Sequence, residues 1–259
     1  MHPLNNASDV RRQYATDAHL RTRISIHDKY STNPQGFGNW IFSHYPLAAG
    51  MRVLELGCGT GDMWLGKETI FATLRELVLS DFSTGMLETA ARRVGAHSNV
   101  AYRMIDIQDI PFPDGSFDVV IANMMLYHVP DIHKALREVR RVLKQGGSFF
   151  CATYGAHGIV EYLSDLLSAY GVADTTNKSF TLQNGYSILR EVFSEVQKYT
   201  YPDALAVTDI DDMLAYIRSL STKTGLHTVP ESVLRENLTA HMVDGVLHVP
   251  KEYGMFAAM

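Results

Sequence analysis

Few cysteines, no long apolar run and a shortage of basic charge set the first bounds on this 259-residue chain. Its two cysteines, Cys58 and Cys151, stand far apart. They make neither a disulfide framework nor a metal quartet, so a reducing, cytoplasmic setting is the expectation. No H-E-x-x-H or paired C-x-x-C spacing occurs, and no metal site is expected. No window approaches the ~20 consecutive apolar residues of a membrane span. Residues Met1 to Val10 lack both an apolar run and a basic leader, which argues against a signal peptide. Lys and Arg number 23 against 28 Asp and Glu, a formal net charge of −5. Binding a nucleic-acid backbone usually needs a basic face, so neither nucleic acid nor membrane is an expected partner. The one locally basic stretch, Arg137, Arg140, Arg141 and Lys144 at helical spacing, reads as a solvated helix face. Repeats and low-complexity tracts are lacking too, and the oligomeric state is not legible.

What the chain does contain is 46% apolar and 20% charged residues, the balance of an ordinary globular protein with a sizeable core. Ser8 to Lys29 reads as a helix, with Ser8 as N-cap and Val10, Tyr14 and Ala18 at helical spacing. Ser31-Thr32-Asn33-Pro34 breaks it, because a residue before proline is pushed out of the α region. A second short helix gathers Phe37, Trp40, Ile41 and Phe42. From Met51 the rhythm becomes strand–turn–helix. Strands are expected at Arg52 to Leu56, Leu77 to Leu79, Asn99 to Met104, Phe117 to Ala122 and Ser148 to Thr153. His133 to Leu143 is an amphipathic helix stopped by Gly146-Gly147. The unbroken apolar run at 117–122 marks a strand buried on both faces of a parallel sheet. Beyond Tyr154, helices are expected over Val160 to Tyr170, Tyr186 to Phe193 and Asp209 to Leu220. Strands are expected over Glu195 to Tyr201, Val246 to Val249 and Met255 to Ala258, the last two separated by Pro250 and Gly254.

The strongest local signal is Val53-Leu54-Glu55-Leu56-Gly57-Cys58-Gly59-Thr60-Gly61. A buried strand runs into glycines at alternating positions and then into a helix expected at Asp62. Glycine is needed where backbone turns sharply and lies against a ligand with no Cβ between them. A helix N-terminus beside it offers free N–H groups to a carboxylate or phosphate. Dinucleotide sites favour G-x-G-x-x-G; here the spacing is G-x-G-x-G, after the acidic Glu55. Asp81 ends the next strand, where an acid accepts both hydroxyls of a nucleoside ribose. Taken alone it would read as a turn or cap residue.

The acid followed by G-x-G-x-G resembles motif I of the class I methyltransferases that use S-adenosylmethionine (SAM), and more of that family's pattern follows in order. Asp81-Phe82-Ser83-Thr84-Gly85-Met86-Leu87 is similar to its D-x-S-x-x-M-L stretch, which implies that Phe82 and Met86 flank an adenine. Asp106-Ile107 stands where the family has an acid on the adenine amine and a neighbour over the ring. Phe112-Pro113-Asp114-Gly115-Ser116-Phe117-Asp118 is close to its L-P-F-P-D-x-S-F-D stretch, and Asn123 to Val129 stands where it has a substrate-facing motif. The resemblance runs from Val53 to Thr153 and fades on both sides. It implies SAM as cofactor and S-adenosylhomocysteine (SAH) as product. The implied cofactor-binding residues are Glu55, Gly57, Gly59, Gly61, Asp81, Phe82, Met86, Asp106, Ile107 and Asn123.

Methyl transfer from a sulfonium is an in-line displacement, so the protein mainly supplies proximity and alignment. A general base is needed only where the acceptor keeps its proton, as a hydroxyl does. His128, just past the fourth strand, is the candidate base or an orienting group; Tyr30 is the second catalytic candidate or a packing residue. His27, Trp40, Tyr127, Tyr154 and His157 are candidates for binding the acceptor, although the N-terminal aromatics also read as pins holding their helices to the sheet. The expected function is methylation of a small molecule at O, N or C. The alternatives are a SAM-binding protein without turnover and a methyltransferase of protein or RNA. Amino-methylating DNA enzymes carry Pro-Pro where this chain has Met124-Met125, and Cys58 and Cys151 are misplaced for cytosine-C5 chemistry. An NAD-dependent oxidoreductase would need G-x-G-x-x-G and a Tyr-x-x-x-Lys pair, and neither is found. The expected fold is α/β: a Rossmann-like, seven-stranded, mostly parallel sheet with helices on both faces. Residues 1–45 are expected as an N-terminal helical lid and 46–259 as the SAM-binding domain, with a cap insertion at 155–190.

Overall fold

A computed structural model describes residues 25–220 and 225–259. The helix expected from Ser8 is seen in its last turns, over 25–30; the remainder of it lies outside the described residues. Strands β1 (Arg52–Leu56), β2 (Glu76–Asp81), β3 (Val100–Met104), β4 (Phe117–Ile121), β5 (Leu143–Tyr154), β6 (Val196–Val207) and β7 (Leu247–Ala258) form one sheet in the order β3-β2-β1-β4-β5-β7-β6. The first five pair in parallel, and β7 runs antiparallel to both β5 and β6. Strand order reverses between β1 and β4, so their carboxyl ends open a crevice, the place where open α/β sheets bind ligands.

The central strands are apolar throughout because helices cover both faces. Leu54, Val78, Val120 and Phe149 face α4 (Ile132–Val142) and α6 (Gly185–Arg190), which bring Leu136, Val139 and Leu189. Val53, Leu77, Val119 and Phe150 face α1 (Phe37–Phe42) and α3 (Thr84–Val94), with Phe42 and Ala90. Capping sets where the two long crossover helices start. Ser83 accepts from the Met86 N–H at 3.4 Å and Asp131 from the Lys134 N–H at 2.9 Å, each cap contributing about 1 kcal/mol. Arg141 does not share the solvated face with the exposed Arg137 and Arg140. It turns inward and donates to the carbonyls of Ile110 and Phe112 at 2.8 and 2.7 Å.

Three expectations need correction. The helix expected at Asp62 is a 3₁₀ turn over Asp62–Trp64, followed by the single α-turn α2 (Glu68–Phe71). Trp64 is drawn inward to a buried partner, and Gly66, at φ +70°, breaks the helical path behind it. The two closing strands are one. Pro250 is tolerated inside β7 because its partner Ala204 spends its own N–H and C=O on Thr32, so no ladder bond to Pro250 is lost. Gly254 is needed there: a Cβ would lie 2.3 Å from the Tyr199 carbonyl oxygen. Helix α8 (Glu231–Ala240), which buries Leu234 and Leu238, is absent from the sequence expectation.

The β6–β7 ribbon runs past the end of β5, which stops at Tyr154 opposite Tyr253. That overhang carries a second core. Ile26 and Tyr30 meet Leu163 of α5 (Ile159–Leu166), Met213 and Ile217 of α7 (Ile210–Ser219), Leu234 and Leu238 of α8, and Leu205 and Val249 of the ribbon. Each such side chain, fully buried, contributes about 1.5–3 kcal/mol. None of these segments is long enough for a core alone, and together they cap the carboxyl end of β5 and the amino-terminal half of β7. No helix of the described residues is long and apolar enough to cross a membrane.

Candidate active site

The turn after β1 holds Gly57, Gly59 and Gly61 at φ +73°, +55° and +77°, a region where side chains are strained. Their surroundings differ. A Cβ on Gly57 would lie 2.9 Å from Met125 Cγ, and one on Gly61 would lie 2.8 Å from Val94 Cγ2 of α3. These two glycines are dictated by packing. A Cβ on Gly59 would meet nothing within 4 Å, so here the bare backbone faces open space at the crevice. The turn is tied to its neighbours on both sides. The Cys58 N–H donates to the Ser80 carbonyl at 2.8 Å, and Asp62 pairs with Arg93 of α3 at 2.6 Å while accepting from Thr60 Oγ1.

Asp81, at the end of β2, accepts from the Gly59 N–H on Oδ2 at 2.9 Å and from the Ser83 N–H on Oδ1 at 2.8 Å. A carboxylate has about four acceptor positions, and with the Phe82 N–H as a third backbone donor Asp81 keeps about one for a ligand hydroxyl. Burial raises the Asp81 pKa, and the backbone donors of Ser83, Gly59 and Phe82 oppose it. Glu55 lies beneath the turn. Its buried carboxylate accepts from the Trp64 indole at 2.6 Å, and burial pushes its pKa up to about 7 against that bond, with Asp81 adding to the rise. Met86 is buried in the first turn of α3, beyond Phe82. Asp106 accepts from the Gln108 backbone at 2.8 Å and side-chain amide at 3.1 Å, and Ile107 is buried in the core.

Past β4, Asn123 spends its amide on the protein: it donates to Tyr45 Oη at 2.7 Å and accepts from the Ala152 N–H at 3.2 Å. It therefore ties β4 to β5 and to the N-terminal segment. Tyr127, His128 and Tyr154 come together, the Tyr127 ring lying 4.6 Å from His128 and 4.5 Å from Tyr154. The Tyr127 carbonyl accepts from Asn177 and from Ser179 Oγ, and Tyr154 Oη donates to the Asn177 carbonyl at 2.7 Å. The stretch after α5 is thus hooked onto this loop. His27 packs edge-on against Tyr216 and Tyr253 at 6.3 and 5.8 Å, and burial beside Lys251 lowers its pKa to about 3.

The other candidates lie elsewhere. Tyr30 is buried in the second core with its hydroxyl donating to Asp212 of α7. Trp40 packs on Tyr201, Phe37 and His44 and pins α1 to β6. His157 is 67% exposed and pairs with Glu161 at 2.9 Å on α5. Tyr45, Trp64 and Tyr253 are site neighbours that no motif announced, because each is recruited by packing across elements distant in sequence. Among the described residues, no group of three or more His, Cys, Asp or Glu side chains gathers as a metal site would need.

Residues 54–151, which include the glycine turn, Asp81, Asp106 and the end of β4, match the family model of a methyltransferase domain. The chain is 38% identical over 102 residues to the demethylmenaquinone methyltransferase of Staphylococcus aureus, covering 39% of this chain and 42% of the relative. It is 36% identical over 124 residues to a ubiquinone/menaquinone biosynthesis C-methyltransferase of Vibrio parahaemolyticus, covering 47% and 48%. The chain therefore spans less than half the length of these two relatives. A solved phosphoethanolamine N-methyltransferase 2 of Haemonchus contortus, in complex with phosphomonomethylethanolamine and SAH, is similar in fold at 21% identity. The TM-score is 0.60, covering 98% of this chain and 60% of that one. Residues 54–151 thus match a methyltransferase domain, and the fold is the Rossmann-like one of that solved neighbour.

Proposed function

We propose that this protein is an enzyme that transfers a methyl group from SAM to a small-molecule acceptor, at oxygen, nitrogen or carbon. The observation that carries the reading is the bond from the Gly59 N–H to Asp81 at 2.9 Å, beside a glycine whose Cβ position is open. It joins a bare backbone turn and a ribose-accepting acid into one cradle at the crevice of the sheet.

SAM, when bound, supplies a methyl group on a sulfonium that leaves readily. On this reading Asp81 holds a ribose hydroxyl, Phe82 and Met86 flank the adenine, and Asp106 with Ile107 meets its amine and ring. Gly57, Gly61 and Glu55 hold the turn in shape, and Asn123 fixes the end of β4 beside it. His128 accepts the acceptor's proton where that group is a hydroxyl. Tyr30, bonded to Asp212, anchors the cap. Residues 25–45 and 155–190, with α7 and α8, form the cover that keeps water from the acceptor, and the rest of the expected lid lies outside the described residues. A small acceptor is supported by the relatives, whose names speak of quinone biosynthesis, and by the small ligand of the solved neighbour. Two buried, free cysteines suit a cytoplasmic setting.

The test is SAH binding by calorimetry, followed by transfer of labelled methyl from SAM into a fractionated cell extract with Asp81→Ala as the blank. Label in the small-molecule fraction supports the reading, and label in protein or RNA overturns the acceptor class. Failure to bind SAH overturns the enzyme.

A further inference from the structure

Among the described residues, two that are not glycine have a left-handed backbone: Asp244 at φ +51° and Met124 at φ +53°. Asp244 precedes Gly245 in the tight turn before β7, where a short polar side chain suits that conformation. Methionine has no polar side chain to offset the strain. Met124 stands just past β4, where strand order reverses and the sheet opens.

Bonds to β5 hold it there. Asn123 Oδ1 accepts from the Ala152 N–H at 3.2 Å, and the Met124 N–H donates to the Ala152 carbonyl at 2.8 Å. The consequence is a change of aim. Alternation along β4 puts Val120 and Ala122 on the α4 face, and residue 124 would follow them. Met125 takes that place instead, packed on the α4 core and on Gly57. The Met124 side chain is half-buried, yet among the described residues it packs into neither face of the sheet nor the second core. It is left at the sheet edge, between the glycine turn and the loop of His128.

Strained residues persist where their surroundings hold them, and they gather at ligand sites. Glycine, asparagine or aspartate would take this φ with less strain. Methionine brings what they lack, a long apolar chain with a polarisable sulfur that adapts to what it touches. We infer that Met124 is a specificity-determining residue: its side chain is turned into the crevice beside the bound cofactor and offers an apolar, uncharged wall to the part of the acceptor that carries the reacting atom. This rests on the methyltransferase reading of the same site.

The test uses the full chain. Met124→Gly should melt about 2–4 °C above Met124→Ala, the reverse of the order at an ordinary position. Met124→Cys should be alkylated by iodoacetamide above the parent's background, which is low because Cys58 and Cys151 are buried. Saturating SAH should slow that reaction about tenfold or more. In a cell extract whose small-molecule fraction the parent labels from SAM, Met124→Asn should transfer about tenfold less methyl than Met124→Leu, with SAH affinity within about threefold of the parent in both. Alanine melting level with or above glycine, a thiol that is unreactive or indifferent to SAH, or equal labelling by the asparagine and leucine variants overturns the inference. Failure of the parent to bind SAH overturns the methyltransferase reading instead, and melting and alkylation of the unloaded chain still decide how Met124 is aimed.

Discussion

Asp203 and Lys251 face each other across β6 and β7 as an ion pair whose side chains are 0% and 3% exposed, and the chain at Ser31, Thr32 and Asn33 is seated on it. Taking one partner away leaves the other charged and buried, which costs about 3–5 kcal/mol. Asp203→Asn should lower the melting temperature by about 10 °C. Asp203→Asn with Lys251→Met should recover part of that loss, because the amide oxygen still accepts from the Ser31–Asn33 segment, and a double variant as unstable as the single one would count against the ion pair as the cause.

Asp81 joins the turn after β1 to the end of β2 through the Gly59 N–H. Asp81→Ala removes the remaining acceptor position and leaves that N–H without its partner. SAH affinity should fall about ten- to hundredfold, as for hydrogen bonds to a charged group. An unchanged dissociation constant in calorimetry would end the ribose assignment.

The glycines separate packing from ligand approach. Gly61→Ala forces a Cβ onto Val94 at 2.8 Å and should lower the melting temperature strongly. Gly59→Ala meets no protein atom within 4 Å, so its thermal cost is that of the left-handed backbone, about 1 kcal/mol, while SAH affinity should drop more than tenfold. Equal melting losses with SAH affinity retained in Gly59→Ala would show the turn to be structural only.

Glu55 sets a pH dependence. Its pKa is raised by burial from 4.5 to about 7 in the folded chain, so between these values the native state binds more protons than the unfolded one. Stability therefore falls as pH rises through that window and is fully present below it. The penalty above pH 7 is at most about 3 kcal/mol. Glu55→Gln should melt several degrees above the parent at pH 8 and level with it near pH 4; a constant difference across the range would refute the assignment.

His128 is tested by kinetics once an acceptor is in hand. His128→Ala should slow turnover about a hundredfold or more if it takes the acceptor's proton, with SAH affinity unchanged. A loss confined to SAH affinity would move His128 into the cofactor site.

The half of the candidate site built on the glycine turn was legible because its residues are neighbours in sequence. Gly57, Gly59, Gly61, Asp81 and Asp106 follow strands that an apolar run announces, and a parallel sheet brings successive strand ends to one edge. Even so, the sequence does not separate Gly59 from its fellow glycines. Only the positions of Met125 and Val94 show which glycines answer to packing. The helix placed at Asp62 failed because the pull of Glu55 on Trp64 and the left-handed Gly66 override local spacing.

What the amino-acid sequence determined by itself was the period of its strands and helices and the spacing of the glycine and acid motifs, since both are local. Tertiary structure alone decided the aromatic side of the crevice. Tyr253 faces Tyr154 only through antiparallel pairing across about 100 residues of chain. His27 and Phe37 reach Tyr253 only because Ser31 to Asn33 are held on Asp203. Contacts of that range carry no period or motif; they exist when burial of one apolar face, shared by segments each too short to have a core, brings the segments together.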